Sequence, residues 1–199
     1  MKAPISSSAI TLGLIAGGKA LRLGGLDKAW LERDGVPQVL RWQRRFSQEV
    51  SATLVSANRE LDRYVAQDLN AIPDRQPDAG PLGGLDALAA ACTTPWLFTL
   101  PVDLVGTNDC LLRTLGSLRD DDGAFAVDDD GMQPLIALWH CDALRAGCAA
   151  ALATGEHRIQ SLQSRLRMRQ VVFSGFRFGN LNTPDDLRNA GIALDTPST

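Results

Sequence analysis

Apolar positions along the chain gather in short blocks, and the blocks alternate between two patterns. Residues 10–14, 53–56, 71–73 and 96–100 are brief, nearly uncharged runs, the pattern of strands buried in a sheet. Longer segments between them carry apolar residues at helical spacing. In 37–48, Val39, Leu40, Trp42 and Phe46 form one stripe, and Pro37 suits a first helical turn. Residues 61–68, 85–92 and 108–118 predict further helices. The stretch 74–84 is dense in Pro, Asp and Gly and predicts a loop. Residues 123–127 and 135–139 predict two strands, and Asp128-Asp129-Asp130-Gly131 between them reads as a hairpin tip rather than a metal site. An Ala-rich helix over 142–154 follows, with Asp142 as its cap. Another helix over 159–167 and a last strand at 171–173 come next. Thr183-Pro184-Asp185-Asp186 then combines a capping residue, a proline and first-turn acids, which marks a helix start. This alternation predicts an α/β chain with a mostly parallel sheet covered by helices.

With 199 residues, 45% of them apolar, the chain can bury a sizeable core. No repeat or long linker interrupts it. A single domain over 9–192 is expected, after a disordered or extended tail at 1–8 and before a C-terminal tail at 193–199. The net charge of −3 argues against a nucleic-acid partner. Cys92, Cys110, Cys141 and Cys148 include no C-x-x-C pair, and His140 and His157 do not complete a zinc pattern. Reduced thiols fit the cytoplasm. No apolar run approaches the ~20 residues of a membrane span, and 9–16 is too short for one.

The densest chemical signal is residues 15–28, directly after the first strand. Two glycine pairs, Gly17-Gly18 and Gly24-Gly25, let the backbone turn tightly and approach a ligand. Exposed N–H groups in such a loop cradle anions, and Arg22 and Lys28 add positive donors for phosphate oxygens. The spacing is neither G-x-G-x-x-G nor G-x-x-x-x-G-K-[ST], which removes the dinucleotide and P-loop readings. Ligands of open α/β sheets sit beyond the carboxyl ends of the strands. Asp103 lies just past residues 96–100, at such an end. It is either a metal ligand, since magnesium is often held by one or two carboxylates, or a turn-capping acid. Asp74, past the third strand, either hydrogen-bonds a base or ribose or only its own loop.

These residues together resemble the molybdenum cofactor guanylyltransferases. The family's Leu-Ala-Gly-Gly-x-x-x-Arg-Met-Gly-Gly-x-Asp-Lys is similar to Ile15–Lys28 here. Its Gly-Pro-Leu-Ala-Gly resembles Gly80-Pro81-Leu82-Gly83-Gly84, and its Pro-Cys-Asp resembles Pro101-Val102-Asp103. Gln133-Pro134-Leu135-Ile136-Ala137-Leu138, Gly155-Glu156-His157-Arg158 and Asn180 to Leu187 resemble its later motifs, in order. Ser56 stands where the family often has Asn, Val102 where it has Cys, and Gly83 where it has Ala. The resemblance implies a GT-A-like, three-layer, Rossmann-like α/β sandwich. It also implies an enzyme joining GMP from GTP to the terminal phosphate of molybdenum-bound molybdopterin, with pyrophosphate released. By position, Ile15, Ala16, Gly17 and Gly18 would contact the nucleotide, with Ser56 and Asp74 at the nucleoside. Arg22 and Lys28 would face phosphates and serve catalysis. Asp103 would hold Mg2+. Arg158, Asn180 and Asn182 would lie on the pterin side. Transient contact with cofactor-insertion proteins or molybdoenzymes is implied too, and no nucleic acid or membrane partner. Two rivals use the same residues. One is a cytidylyltransferase for the same cofactor or a sugar-phosphate nucleotidyltransferase. The other is a non-catalytic protein that binds and delivers nucleotide or cofactor.

Overall fold

The structure is a computed structural model, and it describes residues 2–17 and 27–192. Among the described residues, the next element after β1 (Ile10–Ile15) is a 3-10 turn at Lys28–Trp30, then a hairpin of β2 (Glu32–Arg33) and β3 (Val36–Pro37). Next come α1 (Gln38–Phe46), β4 (Ala52–Ser56), α2 (Leu61–Val65), β5 (Asn70–Ile72), α3 (Pro81–Ala91), β6 (Trp96–Pro101) and α4 (Leu111–Leu118). The last described elements are β7 (Gly123–Asp128), β8 (Gly131–His140), α5 (Cys141–Thr154), α6 (Ile159–Arg165), β9 (Met168–Val172) and α7 (Pro184–Asn189).

Seven strands form one sheet in the order β5-β4-β1-β6-β8-β7-β9. β1 pairs in parallel with β4 and β6, and β4–β5 and β7–β9 are parallel too. Only β8 runs against its neighbours, β6 and β7. The mostly parallel sheet between helical layers is the fold expected from the alternation. Every residue of β1 is buried, as a central strand covered on both faces must be. On one face Leu12, Leu14, Phe98 and Leu100 meet Phe46 of α1 and Leu115 of α4. The Phe46 and Phe98 rings meet edge to face at 5.0 Å. On the other face Leu54, Leu97 and Trp139 pack beneath α3, α5 and α6 through Leu85, Leu88, Leu144 and Leu162. Residues 2–9 run past α4, where Lys2 N–H donates to the Ser117 carbonyl at 2.8 Å and Arg119 to that of Ala3 at 3.1 Å.

Several boundaries differ from the sequence expectation for identifiable reasons. Pro37 does not open α1 but precedes it, ending β3 with extended backbone. The β2–β3 hairpin was not expected. It turns on Asp34-Gly35, both with positive φ (54° and 70°), as a two-residue hairpin turn requires. α3 starts at Pro81, not at 85, because Pro81 supplies the first turn and Gly83 and Gly84 continue it. β8 begins at Gly131 and β9 at Met168, each earlier than expected. In the turn between β7 and β8, Asp128 is not an exposed tip residue. It is 6% exposed and accepts from Phe178 N–H (2.9 Å), Gln133 Nε2 (3.0 Å) and Asp130 N–H (3.0 Å).

What matters for a ligand is the strand order. From β1 the chain steps outward to β4 and β5, then returns to β6 on the other side of β1. The strand order thus reverses beside β1, which opens a crevice at its carboxyl end.

Candidate active site

The crevice is a cleft of about 520 Å³ lined at its floor by Ile15, Ala16 and Gly17, where β1 ends. Ser56, Ala57, Asn58 and Arg59 enter from the end of β4, and Asp74 from just past β5. Gly80, Pro81 and Gly84 close it from the start of α3. The parallel ladders continue beyond the strands: Ala16 N–H donates to the Ser56 carbonyl at 2.9 Å, and Ala57 N–H to that of Ile72 at 3.1 Å. The floor is therefore fixed backbone rather than free loop.

Ser56 and Asp74 do meet, but not as two parallel contacts for a ligand. Ser56 is fully buried, and its hydroxyl donates to Asp74 Oδ1 at 3.4 Å. α3 presses on this pair without a side chain between: a Cβ on Gly84 would lie 2.5 Å from Ser56 Oγ, and one on Gly83 3.1 Å from Asp74 Oδ2. The amide that faces the cleft is Asn58, two residues further on. Its Oδ1 accepts the Asp74 N–H at 2.8 Å. Across the cleft lies Asp27, which accepts from Ala29 N–H at 2.9 Å and so starts the 3-10 turn at Lys28. Burial pushes the Asp27 carboxyl above the usual range, with the charge of Glu60 adding to it. Behind it Tyr64 is fully buried, its ring tilted against that of Trp30 with centroids 4.8 Å apart, and Arg63 lies 4.3 Å over the Trp30 ring. This packing anchors the turn that carries Lys28.

Lys28 reaches a second cluster beyond β6. Its ammonium lies 2.8 Å from Asp103 Oδ2 and 2.7 Å from Asn182 Oδ1. The Asp103 segment is tied down from both sides. Val102 N–H donates to the Ile15 carbonyl at 3.1 Å, Trp42 Nε1 to the Val102 carbonyl at 3.2 Å, and Leu181 N–H to the Asp103 carbonyl at 2.7 Å. Leu104 and Asn180 form an antiparallel bridge. Asn182 is held in turn by the start of α7. Asp186 accepts from Asn182 and Thr183 N–H, and Thr183 Oγ1 accepts from Asp186 N–H, a capping box. The Thr183 side chain foremost, then the Thr183 and Asn182 N–H groups, hold the Asp186 carboxyl below its usual range.

The structure thus brings Ile15, Ala16, Gly17, Ser56 and Asp74 to one cleft, and Lys28, Asp103 and Asn182 into one hydrogen-bonded group. Asn180 joins that neighbourhood through its backbone. Gly18 and Arg22 lie outside the described residues. Arg158 is exposed at the start of α6, where its N–H donates to Glu156, and no hydrogen bond links it to Asn180 or Asn182. Sequence reasoning missed Asn58, Arg59, Asp27 and Asp78 as cleft residues. Asn58 carried one usable signal, a small polar residue two positions after a buried strand.

For a metal, the described residues contain no group of three or more His, Cys, Asp or Glu able to share an ion. Asp103 offers one carboxylate, about a fifth exposed, at the mouth of the crevice. That set fits a cation completed by substrate phosphates better than a cage made by protein alone. The cysteines form no disulfide: Cys92, Cys141 and Cys148 are buried and Cys110 is exposed. Among the described residues no helix is long and apolar enough to cross a membrane.

Residues 13–171 match the family model of the MobA-like NTP transferase domain. A molybdenum cofactor guanylyltransferase from Cupriavidus necator is 32% identical over 194 residues, covering 92% of this chain and 97% of that protein. One from Burkholderia cenocepacia is 36% identical over 208 residues, covering 94% and 97%. The crystal structure of molybdopterin-guanine dinucleotide biosynthesis protein A from Archaeoglobus fulgidus superposes with a TM-score of 0.69 at 20% identity, covering 91% of this chain and 96% of that one. At that identity the likeness is one of fold.

Proposed function

The chain belongs to the MobA-like NTP transferase family, and from that membership we infer that it transfers GMP from GTP to the terminal phosphate of molybdenum-bound molybdopterin. The products are the guanine dinucleotide form of the cofactor and pyrophosphate. The observation that carries this reading is Lys28, held between Asp103 and Asn182 beside a nucleotide-sized cleft.

The transfer needs no protein nucleophile. An acceptor phosphate oxygen attacks the α-phosphorus of GTP. The bond from that phosphorus to the bridging oxygen breaks, and the electron pair leaves with pyrophosphate. The protein's part is placement and charge. The nucleoside end lies over Ile15 to Gly17, toward Asn58 and Asp74. The phosphates then extend toward Lys28, whose ammonium offsets charge on the α-phosphate and the departing group. Arg22 serves the same end in this proposal. Asp103 would hold Mg2+ together with phosphate oxygens, and the bound ion supplies charge neutralisation there. Asn180 and Asn182, beyond Asp103, face the acceptor. Delivery of the product implies transient contact with cofactor-insertion proteins or molybdoenzymes.

The test is pyrophosphate release by the purified protein with GTP, Mg2+ and molybdenum-charged molybdopterin, beside thermal-shift titrations of GTP, CTP, UTP and ATP. Product formation with strongest stabilisation by GTP is expected. Absence of product beside an active control enzyme overturns catalysis, and strongest stabilisation by CTP overturns the base assignment.

A further inference from the structure

We propose that Asn58 selects the nucleotide base: its amide N–H group donates to the carbonyl oxygen of guanine, beside the Asp74 carboxylate. This rests on the guanylyl reading above and adds the residue that discriminates the base.

The orientation of the Asn58 amide is decided by its neighbour. Asp74 N–H can only donate, and Asn58 Oδ1 accepts it at 2.8 Å. The oxygen is therefore committed, and the NH2 group is the end left for the cleft. Nδ2 stands 3.9 Å from where a Cβ on Gly17 would be, over the floor formed by the end of β1. Asn58 itself is exposed at the cleft, and among the described residues its NH2 group has no protein acceptor.

Ser56 cannot take this part. It is fully buried, its hydroxyl donates to Asp74, and α3 at Gly84 leaves no room for a longer side chain at that point. Ser56 instead orients Asp74 from below while Asn58 fixes the Asp74 backbone from above. The pair presents a donor next to a carboxylate acceptor. Guanine presents the complement on one edge: the O6 acceptor beside N–H donors. Adenine and cytosine place an exocyclic amino group where guanine has O6, so the Asn58 NH2 would face another donor. A site built to hydrogen-bond one edge rejects the base that leaves its polar groups unpaired.

The substitution Asn58→Asp separates this role from a purely structural one. It keeps an acceptor for Asp74 N–H and replaces only the cleft-facing donor by an acceptor. Asn58→Ala removes the donor without adding charge. Binding of GTP, ITP and CTP to the full chain is measured by titration calorimetry with Mg2+, after thermal unfolding shows each variant folded. ITP keeps O6 but lacks the 2-amino group. GTP and ITP affinity is expected to fall about 10- to 100-fold in Asn58→Asp, while CTP affinity changes far less. In Asn58→Ala the GTP-over-CTP ratio is expected to fall as well. An unchanged ratio in both variants, or equal losses for all three nucleotides, overturns the role of Asn58 and leaves the guanylyl reading standing. A wild-type protein that prefers CTP over GTP overturns both.

Discussion

Adding one methyl group at Gly84 tests how tightly helix and strand are fitted at the cleft. In Gly84→Ala the new Cβ would sit 2.5 Å from Ser56 Oγ, about 0.9 Å inside the 3.4 Å at which ordinary contact begins. Rotating the Ser56 hydroxyl away gives up its bond to Asp74 and still leaves Ser56 Cβ at 3.3 Å. α3 cannot simply lift, because Leu82, Leu85 and Leu88 anchor it, each fully buried. Against this, alanine in a helix interior is favoured over glycine by about 1 kcal/mol. Overpacking costs about 1–3 kcal/mol, and a lost hydrogen bond about 1 kcal/mol more. The clash outweighs the propensity, for a net destabilisation of about 1–3 kcal/mol. In a chain of this size that lowers Tm by roughly 2–12 °C. Urea unfolding of Gly84→Ala, Ser56→Gly and the double variant gives the coupling between the two positions. A relief of about 0.5 kcal/mol or more in the double variant is expected, since removing the Ser56 side chain empties the space. A single variant as stable as the parent, or a strictly additive cycle, would refute the account.

Lys28→Met and Asp103→Asn are each expected to lower turnover about 10²- to 10³-fold with the fold intact, read by pyrophosphate release and circular dichroism. Burial works against the charge of Asp128, but N–H donors from Phe178, Gln133 and Asp130 outweigh it and hold its carboxyl below the usual range. A lowered folded value means that this stabilisation is present above the unfolded pKa of about 3.9 and is lost as pH falls through the folded one. Asp128→Asn should therefore cost about 1–3 kcal/mol in urea unfolding at pH 7, and the difference from the parent should shrink at pH 3. Thr183→Ala removes one half of the capping box at α7 and should cost about 1 kcal/mol, with faster amide exchange over residues 184–189.

The central strands were legible because their burial writes itself into the sequence as unbroken apolar runs, as in β1 and β6. α7 was legible through local chemistry alone, since Thr183, Pro184 and Asp186 make their own start signal. The Asp34-Gly35 turn carried a hairpin signal too, but strands of two residues leave no alternation to read. α3 was cut short because Gly83 and Gly84 look like loop residues until the strand beneath them is seen; they are glycines for closeness, not for freedom. Lys28 and Asp103 could be chosen by type and position, yet the pairing of Lys28 with Asn182 depends on a fold-back across 154 residues of chain. Asn58 was passed over because its value lies in what holds it, the Asp74 N–H, and a backbone donor has no residue letter.

The bridge between residues 104 and 180 also sets an order of events during synthesis. The floor and walls of the cleft come from residues 15–84, whereas the anchor of Lys28 is finished only when Asn182 folds back on Asp103. Until Asn182 has been made, the ammonium of Lys28 lacks one of the two partners that hold it in the folded chain.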